Sequence, residues 1–448
     1  MIRRILFAML LLSPQAHAYA QAPLLWELQE DIQGGTDIAR AITLSGRSAV
    51  VVGNGGVPLE GTDESDFVIQ ALSRANGAVQ WSDDAFLSIG AIEPLYITSR
   101  KNRAYAVGTL REPGDVRSAF LVRGYAVPTG AVLWEAVWHA SSGVDQDHPT
   151  GIVASPTQVI VTGYGANATN DGLAALVRAY NPLTGAVLWE DRVGSTGVDV
   201  IAWTIAANRE QVFIAGTVSG GGGSPSGDLF VRAYDASSGD LNWEIGRPGI
   251  VPATMKLASG RLLVAGAAGS STYLAAFSAN TGASLWDDMV PTAGGILDIA
   301  VAGSRIAAAI SSGTGFAVRA YSLSTGALEW EDRPTISPGS FENVPSIVLN
   351  EDTVYAAGSA GEFFGNSEFM VRAYDAVNGS LLWDDRSHAS SETAAVDLAL
   401  GKFRLFVAGY TSDSSTDADF LIRAYDARVD VADSQSKVPQ LDNLRARR

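Results

Sequence analysis

The sequence holds no cysteine in its 448 residues. That absence excludes disulfides, thiolate metal sites and covalent haem attachment, and it excludes a lipid anchor on an N-terminal Cys. Motifs that carry chemistry are missing as well: there is no GxSxG elbow, HExxH, P-loop or dinucleotide fingerprint. The glycine-rich stretches "GNGGVPLEG" (53–61) and "SGGGGSPSG" (219–227) read as loops between strands, without the following helix that phosphate binding needs. Positive charge is in deficit. With Arg3 and Arg4 set aside, 29 basic residues face 48 acidic ones, a net charge of −19. Such a field repels nucleic acid and anionic lipid and favours solubility or cationic partners.

A membrane-spanning run is lacking too. The apolar "ILFAMLLL" (5–12) follows Arg3 and Arg4 and precedes small-residue sites at "AHA" (16–18) and "AQA" (20–22). It is too short to cross a bilayer and reads as a secretory signal over residues 1–22, with cleavage after Ala18 or Ala22. The mature chain is expected in a bacterial periplasm or outside the cell, as a monomer without membrane span or lipid anchor. At the other end, residues 429–448 are polar and aperiodic, which predicts a disordered tail.

What the chain does have is repetition. A length of 448 residues exceeds a single core, so it is several domains or one array. "FLVRGYAVPTGAVLWEA" (120–136) is nearly copied by "ALVRAYNPLTGAVLWED" (175–191), and related hairpins begin at Phe67, Leu229, Tyr273, Phe316 and Phe369. Two half copies remain: "FLIRAYDA" (420–427) lacks a Trp strand, and "APLLWEL" (22–28) lacks a strand before it. Together they make an eighth copy.

The repeat tryptophans are Trp26, Trp81, Trp134, Trp189, Trp243, Trp286, Trp330 and Trp383, spaced by 43 to 55 residues. Two further short apolar runs lie between each Trp and the next hairpin, so each period holds four strands. This predicts an all-β fold over residues 23–428: an eight-bladed β-propeller of four-stranded blades. An open solenoid would need capping repeats. Matching halves at the two termini instead predict a ring closed by the N-terminal Trp strand pairing with the C-terminal strand, which leaves no bare edge at the joint.

Inside the hairpin, a turn glycine supplies positive φ and the Trp supplies a flat surface to fill the space between blades. An Arg recurs in the third strand, and an acidic residue usually follows the Trp. The copy with Gln70 in place of Arg also has Ser82 in place of the acid. That joint loss predicts an Arg to carboxylate pair in each blade, a structural role.

Chemistry in a propeller belongs on the loops around the channel mouth. His139, Asp145, Asp147 and His148 share one loop after a Trp strand, and His388 lies in another. They read either as a divalent metal or acid/base site or as solvated turn residues. Trp138, outside the repeat register, offers a stacking surface. Asp37, Asp199, Asp298 and Asp397 stand near the start of inner strands, where they form a partial carboxylate ring or cap turns. Acid-rich "EGTDESD" (60–66) and "TSDSSTDAD" (411–419) present oxygen ligands for Ca²⁺ or are solvated turns.

The phrase "AYDxxTGxLLW", in eight registered copies, resembles the repeat of the pyrroloquinoline quinone-like propellers, the quinoprotein alcohol dehydrogenase-like group. The resemblance implies the eight-bladed fold and two functional branches. One comprises dehydrogenases that hold the quinone and Ca²⁺ near the axis, typically with adjacent Cys residues, Glu/Asn/Asp ligands, a catalytic Asp and a Trp under the quinone. The other comprises non-enzymatic envelope propellers, including the scaffold protein of outer-membrane barrel assembly. This chain lacks the Cys pair and has short loops. The expectation is an exported, non-catalytic platform for a protein, peptide or glycan partner, with no cofactor; the alternative is a dehydrogenase using pyrroloquinoline quinone and calcium.

Overall fold

The structure is a computed structural model that describes residues 23–32, 36–55, 66–84, 92–111, 118–140, 147–220, 227–291, 294–311, 315–334, 340–362, 367–387, 392–414 and 417–428. The expected secretory signal at 1–22, the expected tail at 429–448, Asp145 and His388 lie outside the described residues.

The strands form eight four-stranded antiparallel sheets. Blades 1 to 7 comprise residues 38–84, 92–138, 148–193, 199–247, 251–291, 295–332 and 340–387, each with its strands in sequence order from the axis outward. The eighth sheet joins the chain ends: Glu392–Leu400, Arg404–Ser414 and Asp417–Asp426 are completed by Leu24–Glu30. That last strand runs antiparallel to its partner, with Trp26 opposite Ala424 and Glu27 opposite Arg423. The innermost strands of neighbouring blades touch all the way round, blade 8 against blade 1 included.

Burial explains why the ring must close. Each of the eight hydrophobic clusters draws on two adjacent blades. No blade therefore buries its own apolar faces alone, and an open array would expose two of them. The repeat Trp links blades as well. Trp189 stacks on Tyr234 of the next blade, and its indole N–H donates to the Ala236 carbonyl at 2.8 Å. The same donation, from Trp to a hairpin-turn carbonyl of the next blade, occurs from Trp26, Trp81, Trp134, Trp243, Trp286 and Trp330. The turn glycine completes the joint: Gly239 has φ of 78°, and a Cβ there would lie 2.7 Å from the Trp189 ring.

The pairing of third-strand Arg with the post-Trp acid is present in six blades. Arg232 meets Glu244 at 2.6 Å and Arg423 meets Glu27 at 2.6 Å; Arg123, Arg178, Arg319 and Arg372 pair with Glu135, Glu190, Glu331 and Asp384. A second acid from the preceding blade joins several pairs. Asp83, Asp191 and Asp385 each accept a tyrosine hydroxyl and face the Arg of the next blade at 3.4 Å.

Candidate functional site in the central channel

Every innermost strand carries a register irregularity at the same level, between Ala39 and Ala41 in blade 1 and at the matching place in the other seven. A bulge bends the strand and re-aims the side chains beside it. The neighbouring second strand makes room with glycine: a Cβ on Gly216 would collide with the Ile201 carbonyl oxygen. The residues at these bulges surround a cavity of about 370 Å³ on the axis, to which all eight inner strands contribute.

Two carboxylates line this cavity, Asp298 of blade 6 and Asp397 of blade 8. Each accepts the N–H of the residue after it, Ile299 or Leu398, and each reaches to the next blade. Asp298 accepts Ile347 N–H at 3.2 Å, and Asp397 accepts Ile42 N–H at 2.9 Å. Hydroxyls add to both: Thr254 donates to Asp298 at 3.3 Å and Ser346 donates to Asp397 at 3.2 Å. Lys256 stands 3.6 Å from Asp298. Withdrawal from bulk water pushes the Asp397 carboxyl up to about 6, against the pull of its backbone donors and with the Asp298 charge adding to the rise.

The rest of the wall is mixed. Arg40 donates from Nε to Asn54 at 2.9 Å, and Trp203 donates from its indole to the Thr217 hydroxyl at 3.0 Å. Tyr164 and the predicted His148 do not line the cavity: Tyr164 lies edge-on to Trp203 at 6.0 Å, and His148 lies against Tyr164 at 5.2 Å. Burial raises the phenols of Tyr96 and Tyr164. Trp203 was not signalled by the repeat, because it falls outside the register of the blade tryptophans. Its mark in the sequence is a large aromatic in an inner strand, "DVIAWTIAA", where the other copies hold smaller residues.

The remaining predicted site residues lie elsewhere. Asp37, Asp147 and Asp199 are buried at the start of inner strands and do not line the cavity. They hold connections in place: Asp37 accepts Ile32 N–H, Asp147 accepts Ala140 N–H at 2.7 Å, and Asp199 accepts Leu173 N–H at 2.8 Å. His139 is exposed at the end of a Trp strand. Trp138 is a packing residue, buried 4.9 Å from Phe120 with the Arg178 guanidinium 3.8 Å over its ring. Asp31, Asp37 and Asp419 come within 4.8 Å of one another, the one such group of three among the described residues. Gln29 donates to Asp419 at 2.6 Å there.

A quinone with calcium does not fit the described channel residues. Calcium takes six to eight oxygen ligands. Here two carboxylates are engaged by backbone N–H groups and hydroxyls, and no third acid or histidine joins them among the described residues.

Comparison with known proteins gives a consistent picture. The family model described as "Outer membrane protein assembly factor BamB" matches residues 118–292 and 172–400. No curated protein matches the sequence significantly. BamB from Moraxella catarrhalis is similar in structure, with a TM-score of 0.54 at 16% identity over 92% of this chain and 99% of that one. The quinohemoprotein alcohol dehydrogenase ADHIIG from Pseudomonas putida HK5 is similar at a TM-score of 0.57 and 13% identity, over 90% of this chain and 76% of that one. A europium-containing methanol dehydrogenase is similar at a TM-score of 0.54 and 11% identity, over 90% and 93%. With the repeat, the closed ring and a match over more than half its length, the chain belongs to the pyrroloquinoline quinone-like propeller family that takes its description from the outer membrane protein assembly factor BamB.

Proposed function

We propose that this protein is an exported, non-catalytic propeller that serves as a docking platform for a protein partner of the bacterial envelope. The observation that carries the reading is the outer rim. Val132 and Leu133, Val187 and Leu188, Leu241, Leu285 and Leu328 are 40 to 51% exposed, on strands whose outer edge has no neighbour in its sheet. Apolar side chains beside free strand edges are suited to an extended segment of another protein. The family description, an assembly factor of outer membrane proteins, agrees with a protein partner. A photo-cross-linking residue placed in turn at Val132, Leu188, Leu241 and Leu328 in living cells tests it. Discrete adducts with an envelope protein are expected from at least one position, and none from any of the four would count against the platform.

A second reading, a quinone-dependent dehydrogenase, draws on the alcohol and methanol dehydrogenases among the structural relatives and on Asp397. A carboxyl held at about 6 beside an axial cavity has a proton affinity suited to a base. The missing calcium donor set weighs against it.

A further inference from the structure

We propose that a basic pocket between blades 2 and 3, on the face formed by the hairpin turns, is the docking site for an acidic polypeptide segment. The pocket has a volume of about 310 Å³. Arg100, Lys101 and Arg103 supply three of its ten lining residues and no acidic residue lines it, in a chain where acids outnumber bases 48 to 31. None of the three forms an ion pair among the described residues, whereas the third-strand arginines are paired to carboxylates. A cationic cluster left unneutralised has its charge available to a ligand.

Three further features point to a peptide. Tyr105, Pro182 and Leu183 add apolar surface to the lining, which suits side-chain stems. Asn181 uses its side-chain oxygen on the N–H groups of Leu183 (2.9 Å) and Thr184 (3.2 Å), which leaves its NH₂ group as a donor at the wall. Lys101 also holds a left-handed backbone, φ of 56°, at a turn position where blades 1 and 6 have Gly46 and Gly303. A lysine kept where glycine is easier points to a use for its charge. An anionic membrane fits less well, because the same face of blade 4 carries Glu210, Asp235 and Asp240, which a flat anionic sheet would have to cover. A narrow segment avoids them. The overall negative charge acts weakly on it, since screening limits surface fields to about 8 Å at physiological salt.

This inference deepens the platform reading and rests on it. Its test is fluorescence anisotropy of a labelled octaglutamate peptide with the mature protein, at about 50 mM and about 300 mM salt. Binding should be saturable and weaken with salt. Lys101→Glu/Arg103→Glu should lower affinity by about tenfold, while Arg209→Glu/Lys402→Glu, equal in net charge, should change it by less than about twofold. Lys101→Gly, which suits the turn, should weaken binding without lowering the thermal midpoint. No binding by the wild type, equal losses in the two double variants, or stronger binding to phosphatidylglycerol vesicles than to the peptide would each overturn the assignment. Cross-links from Leu188 together with failed peptide binding would remove the pocket and leave the platform intact.

Discussion

At the residue scale, the joint between blades is a tryptophan seated on a glycine. Trp189→Phe keeps most of the apolar area but loses the bond to the Ala236 carbonyl, so it should cost about 1 kcal/mol in urea unfolding. Gly239→Ala should cost more than Trp189→Phe, because it combines φ of 78° with a contact of 2.7 Å to the indole. Asp397 gives a pH signature. Its carboxyl rises from 3.8 to about 6 on folding, so the native state binds that proton more tightly than the unfolded chain. The contribution is present below pH 4 and is lost as pH rises through 6. The stability of wild type relative to Asp397→Asn should therefore fall by about 2 kcal/mol between pH 4 and pH 7, after allowance for water in the channel. Parallel pH profiles for the two proteins would contradict it.

At the scale of elements, much of the fold was legible and the site was less so, for one physical reason. Strand count, blade number and closure follow from the repeat, and the loss of both members at Gln70 and Ser82 exposed the ion pair that six of the other blades form. Restoring it with Gln70→Arg and Ser82→Glu should show a coupling of about 0.5 to 1 kcal/mol in a double-mutant cycle. Position around the channel was hidden. Asp37 and Asp298 both look like an acid near the start of an inner strand, yet Asp298 lies inside Gly295–Ala302, beside the bulge and at the cavity, while Asp37 precedes Ile38–Ser45 and its bulge and caps a connection. A one-residue shift reverses the side a residue faces, and composition carries no mark of it. The second acids, Asp83, Asp191 and Asp385, were missed because their partners sit on the following blade, a contact that only the packing of one blade on the next creates. Closure is also where the pattern is weakest. Trp383 faces the joined termini instead of a hairpin turn, and its buried indole nitrogen has no partner among the described residues. Deleting residues 24–28 removes Trp26 and the outer strand of blade 8. It should cost more than about 3 kcal/mol, the loss for a buried Trp to Ala change alone.

At the scale of the whole molecule, the eight blades form a closed ring whose axial carboxylates tie neighbouring inner strands together and whose rim and turn face carry exposed apolar and cationic side chains. In the proposed division of roles the channel holds the ring and the outside binds. The most direct measurement is the thermal midpoint of the protein without residues 1–22, with and without saturating pyrroloquinoline quinone and Ca²⁺. A ligand at about 100 times its dissociation constant adds about 2.7 kcal/mol to a native state that it binds selectively. An unchanged midpoint is expected. A rise that needs both quinone and calcium, and that Asp298→Ala or Asp397→Ala abolishes, would contradict it and place a dehydrogenase centre in the channel.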